Sequence, residues 1–530
     1  MASKRRSLFL LPLVVLLCAL AGGIYGQRVQ VAAASSNDDD VKTSLKSFTK
    51  AYNLVEENFA DPVTADKAIY DGAIPGMLRT LDPHSSFFDP KAFAKMREDQ
   101  RGNYYGVGMR VQMRGSAGTM VYEPFKGSPA WKAGLRPGDL IIMVNDTNTR
   151  GMNTEKVAEL LKGPRGTTVN IEVERDGSSE PVKFSVVRDS INVTSVPDYI
   201  SLGNGVYYIR IEQFMETTSR DLEDNLKRIG EKNIKGLILD LRGNPGGLLN
   251  EGVAVADKFL NKDDVIVSHH GRASQEKVYT ARNGNHGNLY PIVVVVNRSS
   301  ASAAEIVTGA LQDHDRAWVF GDNTFGKGLV QTVYPLIENS GLALTTAKYY
   351  TPSGRLIQRD YSHSSFYDYY FKQNTEARNL QDVKMTDGGR TVYGGGGISP
   401  DEKYVAPKYD KFQIEMARSN AYFNFAAHYL GTHQIKVTKD WRPDADVMNA
   451  FHEFLLEKKI PFTESDFTQD HDWLKHEVTR EIIWSGMSSD DSRAFEESTD
   501  PEVLKAVESL PKAQALLNSA KKLIVQRMAK

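Results

Sequence analysis

A serine pair, a lysine and a glutamine stand at fixed spacing in a stretch otherwise built of small and apolar residues. Asn297-Arg-Ser-Ser-Ala-Ser-Ala-Ala-Glu305 carries Ser300 and Ser302. Lys327 follows Ser302 by 25 positions, within Thr324-Phe-Gly-Lys-Gly-Leu-Val-Gln331, and Gln331 follows the lysine by 4. A serine hydroxyl is a weak nucleophile and needs a base. Lysine can be that base only when neutral, so its pKa must fall from about 10.4. A dry pocket lowers it by up to roughly 3–5 units. At about 1.36 kcal/mol per unit, a fall of about three units costs the fold about 4 kcal/mol. A glutamine beside the amine accepts its hydrogen bond without adding the negative charge that would raise the pKa again.

The elements that must position these groups are legible on either side. Ile292 to Val296 is an unbroken β-branched run, the pattern of a buried strand. From Glu305 to Leu311, the residues Ile306, Val307, Ala310 and Leu311 share one helical face. Ser300 and Ser302 therefore fall where a strand turns into a helix. Free N–H groups at a helix start suit a developing oxyanion, although a serine there also serves as an ordinary N-cap. Upstream, Leu237-Ile-Leu-Asp-Leu-Arg-Gly-Asn-Pro-Gly-Gly-Leu-Leu249 reads as a second buried strand ending in a tight glycine turn.

Three of these segments, in this order, resemble the motifs of the carboxyl-terminal processing peptidases, tail-specific serine proteases with a Ser–Lys dyad. They are Asp240-Leu-Arg-Gly-Asn-Pro-Gly-Gly247, Ser300-Ala-Ser-Ala-Ala-Glu305 and Gly326-Lys-Gly-Leu-Val-Gln331. The resemblance covers roughly residues 45 to 405. It implies Ser302 as nucleophile, Lys327 as general base and Gln331 as the residue that orients the lysine. Ala304 stands where the family usually has serine, a departure that touches no catalytic role. The oxyanion requires preorganised donors. The Ala303 N–H follows the nucleophile, and Gly246 or Gly247 offers a second N–H from a backbone able to approach closely. Two rival readings are a non-catalytic peptide-binding scaffold on the same fold and an esterase using Ser300 with a histidine. A pure binder has no need of Ser302, Lys327 and Gln331 together.

The chain has 530 residues, 25% charged and 41% hydrophobic, with net charge −2. That fits a multidomain globular protein and gives no footprint for nucleic acid. Residues 1–26 read as a signal peptide: Lys4-Arg5-Arg6, then an apolar run from Leu8 to Leu20. Residues 27–40 read as a linker and 41–104 as an N-terminal helical segment, with Leu45, Phe48, Tyr52, Val55 and Phe59 at helical spacing. The expected location is the periplasm or cell envelope, with membrane contact only through the N-terminal segment if it stays uncleaved. Cys18, the one cysteine, falls inside that segment. No His-Glu-x-x-His marks a metal site, and no metal or cofactor is expected.

Residues 105–190 form a β-rich module similar to a PDZ domain. Gly106-Val107-Gly108-Met109 would hold a peptide's terminal carboxylate, with the peptide added as an extra strand. In the family it resembles, the arginine matching Arg136 links this domain to the catalytic core, so Arg136 is the expected gating residue. Residues 191–405 are the expected Ser–Lys core, and 406–530 a helical domain whose apolar faces pack on the core or form a dimer. Asp444 to Glu457, His471 to Ile483 and Pro501 to Arg527 carry helical spacing. The aromatic run Tyr361 to Tyr370 reads as an insertion that packs on the core, with lining of a peptide groove as the other reading. The fold class is α/β (α+β), multidomain, with a mixed-sheet core, an inserted PDZ domain and flanking helices. The expected partners are protein substrates with free C-termini, with a homodimer or an envelope adaptor as further options.

Overall fold

A computed structural model describes residues 39–64, 66–115, 117–362, 365–371 and 379–528. The segment read as a signal peptide, residues 1–26, and most of the linker lie outside the described residues. The chain divides into two compact units between Asp89 and Pro90. In the first unit, residues 39–58 are helical, with Leu45, Phe48, Val55 and Phe59 exposed. Asp82 caps the loop that follows, accepting from the N–H groups of His84 and Ser85 at 2.7 and 2.8 Å.

The second unit begins with a helix, Pro90–Arg101, that leads into the β-rich module. Strand β1 (Asn103–Gly106) opens the module. Its elements then follow as β2 (Met109–Met113), β3 (Thr119–Pro124), α1 (Pro129–Ala133), β4 (Leu140–Val144) and α2 (Thr154–Leu161). Strands β5 (Thr168–Glu174) and β6 (Val182–Val187) complete the sheet, in the order β2-β3-β4-β5-β6. Strand β7 (Asp189–Asn192) pairs antiparallel with β1, so the chain enters and leaves the module side by side. Along β5, Val169, Ile171 and Val173 are buried and their neighbours are not, the period of a strand with one wet face. Asn153 starts α2 by accepting from the Lys156 N–H, and α2 buries Val157 and Leu161.

The core sheet explains the apolar runs. Its strands are β8 (Ile200–Gly203), β9 (Val206–Arg210), β10 (Gly236–Asp240), β13 (Ile292–Val296), β14 (Trp318–Gly321) and β17 (Glu402–Lys403), adjacent in that order and parallel from β9 onward. Between them run α3 (Thr218–Ile229), α4 (Leu249–Asp257), β11 (Val265–His270), β12 (Lys277–Thr280), α5 (Ala303–Asp313), β15 (Leu329–Pro335) and β16 (Gly341–Tyr350). Leu237, Leu239, Ile292, Val294 and Val296 point to the face covered by α3, α4 and α5. Ile238, Val293 and Val295 point to the other. A sheet buried on both faces needs apolar residues at every position. Strands β15-β16-β11-β12 pair antiparallel in a second sheet.

The C-terminal helices pack within the chain. Helices α6 (Ala421–Thr432), α7 (Ala445–Glu457) and α8 (His471–Gly486) share an aromatic core around Tyr422, Phe425 and Phe451. Phe423 of α6 turns the other way, onto Met120, Leu140 and Ile142 of the module. After α9 (Ser489–Thr499), α10 (Pro501–Glu508) and α11 (Leu510–Met528) cover the second face of the core sheet, through Val503, Ala506, Leu510 and Ala513. The spacing from Pro501 to Arg527 predicts one helix, and the structure breaks it at Ser509. Pro511 is the cause, because without an N–H it cannot donate back to Val507, and it sits in the opening turn of a new helix.

Candidate active site

The turn after β13 sorts the two serines. Ser300 is fully buried; its hydroxyl donates to the Leu241 carbonyl at 2.7 Å and accepts from the Asn297 N–H at 3.0 Å. It is a tie between the ends of β10 and β13, with its one proton already donated. Ser302 is half-buried at the N-terminus of α5, with φ 54° and ψ −114°. An ordinary N-cap residue has an extended backbone. This conformation is strained for a residue with a Cβ, on the order of 1–3 kcal/mol, and strain of this kind gathers at functional sites.

Two side chains hold Ser302 and Lys327 together by their main chains. Glu305, fully buried on the first turn of α5, accepts from the N–H groups of Ser302 and Lys327 through one oxygen, both at 2.8 Å. Its other oxygen accepts from the Gly326 N–H at 2.7 Å and the Thr324 hydroxyl at 2.5 Å. Burial pushes this carboxyl above its ordinary range, against the pull of the same four donors. The Tyr349 hydroxyl, from β16, donates to the Lys327 carbonyl at 2.5 Å and lies 3.2 Å from the Ser302 carbonyl. Burial and the nearby Glu305 raise the Tyr349 pKa well above the phenol range, so it stays a donor. The Gly328 N–H is held by the Gln358 side chain at 2.8 Å. Every residue of the Gly326-Lys327-Gly328 turn is therefore pinned, and Gly326 takes φ +87°.

Lys327 is half-buried, and its Nζ donates to the Gln331 Oε1 at 2.8 Å. Gln331 lies on β15, where a bulge after Val330 shifts the register with β16. Such a bulge re-aims a side chain.

The glycine turn after β10 lies against Ser302. A Cβ on Gly246 would come within 2.7 Å of the Ser302 Cβ and 3.0 Å of the Ala303 nitrogen, and one on Gly247 within 2.2 Å of the Phe214 carbonyl oxygen. Gly246 (φ +97°) donates its N–H to Asn244 Oδ1 at 2.8 Å. The Asn244 carbonyl accepts from the Ala301 N–H at 2.9 Å, and the Phe214 N–H donates to the Gly246 carbonyl at 2.9 Å. Among the described residues, the N–H groups of Ala303 and Gly247 are left without an acceptor.

In the module, Gly106, Val107, Gly108 and Met109 are all buried, where β1 passes to β2. Gly108 takes φ +78°, and its carbonyl accepts from the Ser128 hydroxyl at 2.7 Å. Among the described residues, strand β2 pairs with β3 alone, and α2 packs beside it. Arg136 is exposed and lines a cleft between the module and the C-terminal helices, with Trp131, Leu430 and Trp484. The described part of the aromatic run packs beside the lysine turn. Arg359 stacks 4.6 Å from Phe325 and 4.5 Å from the Tyr369 ring, and Tyr369 is buried.

Sequence reasoning missed Glu305 and Tyr349. Ser302-Ala-Ala-Glu305 is the S-x-x-E signature of a helix start, in which the glutamate reaches back to the serine N–H. That signal was available for Glu305. None marks Tyr349, which only the pairing of β16 brings to the turn.

A hydroxyl on a strained helix start, a lysine with an amide partner and, among the described residues, two N–H groups without acceptors are the parts that a serine-type peptidase needs. Residues 205–362 match peptidase family S41, residues 120–175 a PDZ domain, and residues 23–92 the N-terminal domain of the activating protease CtpB. The carboxy-terminal-processing protease of Bartonella bacilliformis is 38% identical over 346 residues, 64% of this chain and 79% of the relative. The carboxy-terminal processing protease CtpA of Bacillus subtilis is 34% identical over 359 residues, 67% of this chain and 76% of the relative. A solved structure, the photosystem II D1 C-terminal processing protease, is 28% identical, covers 67% of this chain and 86% of its own, and superposes with a TM-score of 0.36. The chain belongs to the carboxy-terminal processing proteases of family S41. Its substrates are proteins, as a protease with a PDZ domain requires. Among the described residues, no helix is long and apolar enough to cross a membrane.

Proposed function

We propose that the chain is an endopeptidase of the periplasm or cell envelope that cuts proteins near their C-termini through a Ser302–Lys327 dyad. The observation that carries this reading is the shared grip of Glu305 and Tyr349 on the two residues, which fixes nucleophile and base relative to one another. The Ser302 Oγ attacks the scissile carbonyl carbon while neutral Lys327 takes its proton. Gln331 accepts from the amine and aims its lone pair. The carbonyl oxygen becomes an oxyanion, held by the Ala303 N–H and, since Gly246 is committed to Asn244, by the Gly247 N–H. The C–N bond breaks as Lys327 returns the proton to the leaving amine. Water, deprotonated by the same lysine, then releases the acyl group. The module recognises the substrate's tail along the unpaired edge of β2, with its carboxylate at Gly106 to Met109, and Arg136 couples occupancy to cleavage.

The test is incubation of the full chain, and of its Ser302→Ala variant, with a cell-envelope extract, followed by mass-spectrometric identification of new protein C-termini. New C-termini that depend on Ser302 support the reading. The same C-termini from both proteins overturn it.

A further inference from the structure

The strand-end segment Asp240-Leu-Arg242 is the start of the oxyanion turn, and its arginine is engaged by a part of the chain far away in sequence. Arg242 has five guanidinium donors, and all are used. Nε donates to Asp240 at 2.9 Å, Nη2 to Asp240 at 2.7 Å and to Glu497 at 3.3 Å, and Nη1 to Asp500 at 2.7 Å and to Glu502 at 2.9 Å. Arg210 runs alongside, donating to Glu497 at 2.9 Å and to the Arg242 carbonyl at 3.3 Å. Asp240 is fully buried. Burial opposes its ionisation, but Arg242 and Arg210 outweigh that and hold its carboxyl below the usual range. Burial pushes Glu497 and Glu502 the other way.

Two guanidiniums thus face four carboxylates, three of them from the end of α9 and the start of α10. One partner per arginine would satisfy a purely structural ion pair. Here the geometry does more, because it leaves Arg242 no freedom, and the turn that begins at its carbonyl is the one that ends at Gly247. Asn244 fixes the middle of that turn and Phe214 its end. Arg242 fixes its start. We propose that Glu497, Asp500 and Glu502 of the C-terminal helices are positioning residues for the reaction, holding the oxyanion turn in register with Ser302 through Arg242. The helical segment after the protease core is then a working part of the active site. This rests on the dyad reading above, since it assigns the Gly247 N–H to the oxyanion. A misplacement of about 1 Å in such a donor is enough to cost a rate on the order of 10²-fold.

The experiment uses the full chain and an internally quenched peptide with a free C-terminus. The triple variant Glu497→Gln, Asp500→Asn, Glu502→Gln preserves shape, and asparagine still caps α10. The expected result is a kcat at least about tenfold lower with KM within about twofold, at a temperature where circular dichroism shows the protein fully folded. On an Arg242→Lys background the same triple change should add little further loss, because the acids act through that guanidinium. If the triple variant does not fold, Glu502→Gln and Asp500→Asn singly each remove one of the two negative charges facing Nη1 and should each lower kcat. Wild-type kcat in these folded variants overturns the proposal alone. So does a full additive loss on the Arg242→Lys background, which would mark the acids as acting elsewhere. Cleavage surviving Ser302→Ala overturns the dyad, and this proposal with it.

Discussion

The main chains of Ser302 and Lys327 share the same two side-chain partners. Glu305 accepts from both N–H groups and Tyr349 lies within hydrogen-bonding distance of both carbonyls. The two residues are therefore tied to one another at the main chain although 25 positions separate them. Glu305→Gln presents an NH2 where an oxygen now receives two N–H groups. It should destabilise the fold by about 1–3 kcal/mol and lower kcat by on the order of 10²-fold. Tyr349→Phe removes one neutral hydrogen bond and should cost about 1 kcal/mol. Urea unfolding paired with kcat at full folding checks both, and an unchanged kcat in folded Glu305→Gln would refute the shared grip as a catalytic feature.

Lys327→Ala should leave the fold intact and lower kcat/KM by at least about 10²–10⁴-fold, the usual contribution of a general base. In the wild type, activity should fall as pH drops through the lysine's folded pKa, because protonation removes the base. Gln331→Glu puts a negative charge beside the amine, stabilises its charged form and moves that acidic limb to higher pH. A kcat/KM profile of both proteins over the range where each stays folded decides the matter.

Gly247→Ala tests the oxyanion turn from its other end. The new Cβ would sit 2.2 Å from the Phe214 carbonyl oxygen, on a backbone with φ +142°. The turn must shift, so cleavage should fall by on the order of 10²-fold or more, the cost of one lost oxyanion donor. Cleavage within a few-fold of wild type would place the donor elsewhere.

Stability of the C-terminal helices should depend on pH near neutrality. Burial pushes the Glu481 carboxyl up to about 7; Arg480 pulls it down, while Glu477 and Glu496 add to the rise. Among the described residues its Oε2 has no hydrogen-bond partner. The folded state therefore binds this proton more tightly than the unfolded one. That stability is fully present below the unfolded carboxyl's ordinary pKa and is lost as pH rises through about 7. Glu481→Gln should flatten the fall between about pH 5 and pH 8 and raise Tm at pH 8, by about 1–3 kcal/mol of stability. Thermal melts at four or five pH values measure it.

A tail sensor in the PDZ module predicts that amidating a substrate's C-terminus weakens cleavage by the wild type. Arg136→Ala should lower kcat on a tailed protein while leaving Tm within a few degrees, since Arg136 is exposed. If amidation and Arg136→Ala both leave kcat/KM unchanged, the module does not gate the site.

The parts of this molecule that the sequence discloses are those whose signals are local. The β-branched run Ile292 to Val296 and the apolar face of Ile306, Val307, Ala310 and Leu311 announce β13 and α5, because burial on both faces of a sheet or one face of a helix leaves a short-range period. The main chains of Ser302 and Lys327 meet at Glu305, the Lys327 amine reaches Gln331, and Gly246 lies against Ser302. Three features have no such period. What separates Ser300 from Ser302 includes what its hydroxyl reaches, and Leu241 lies 59 positions away. Tyr349 reads as one more strand aromatic until β16 folds back. Glu497, Asp500 and Glu502 look like a solvated acidic helix end, and their arginine lies more than two hundred and fifty positions upstream.

That last separation has a consequence in time. Arg242 and Asp500 are 258 positions apart, and a chain is made from its N-terminus. While the final helices are still being synthesised, the guanidinium has Asp240 as its near acid partner, and the second face of the core sheet lacks Val503, Ala506 and Leu510. The second face of the sheet gains this cover, and Arg242 its other carboxylates, only after residues 497 to 513 have been made. Ser302 and Lys327 are thus made well before the carboxylates that engage Arg242.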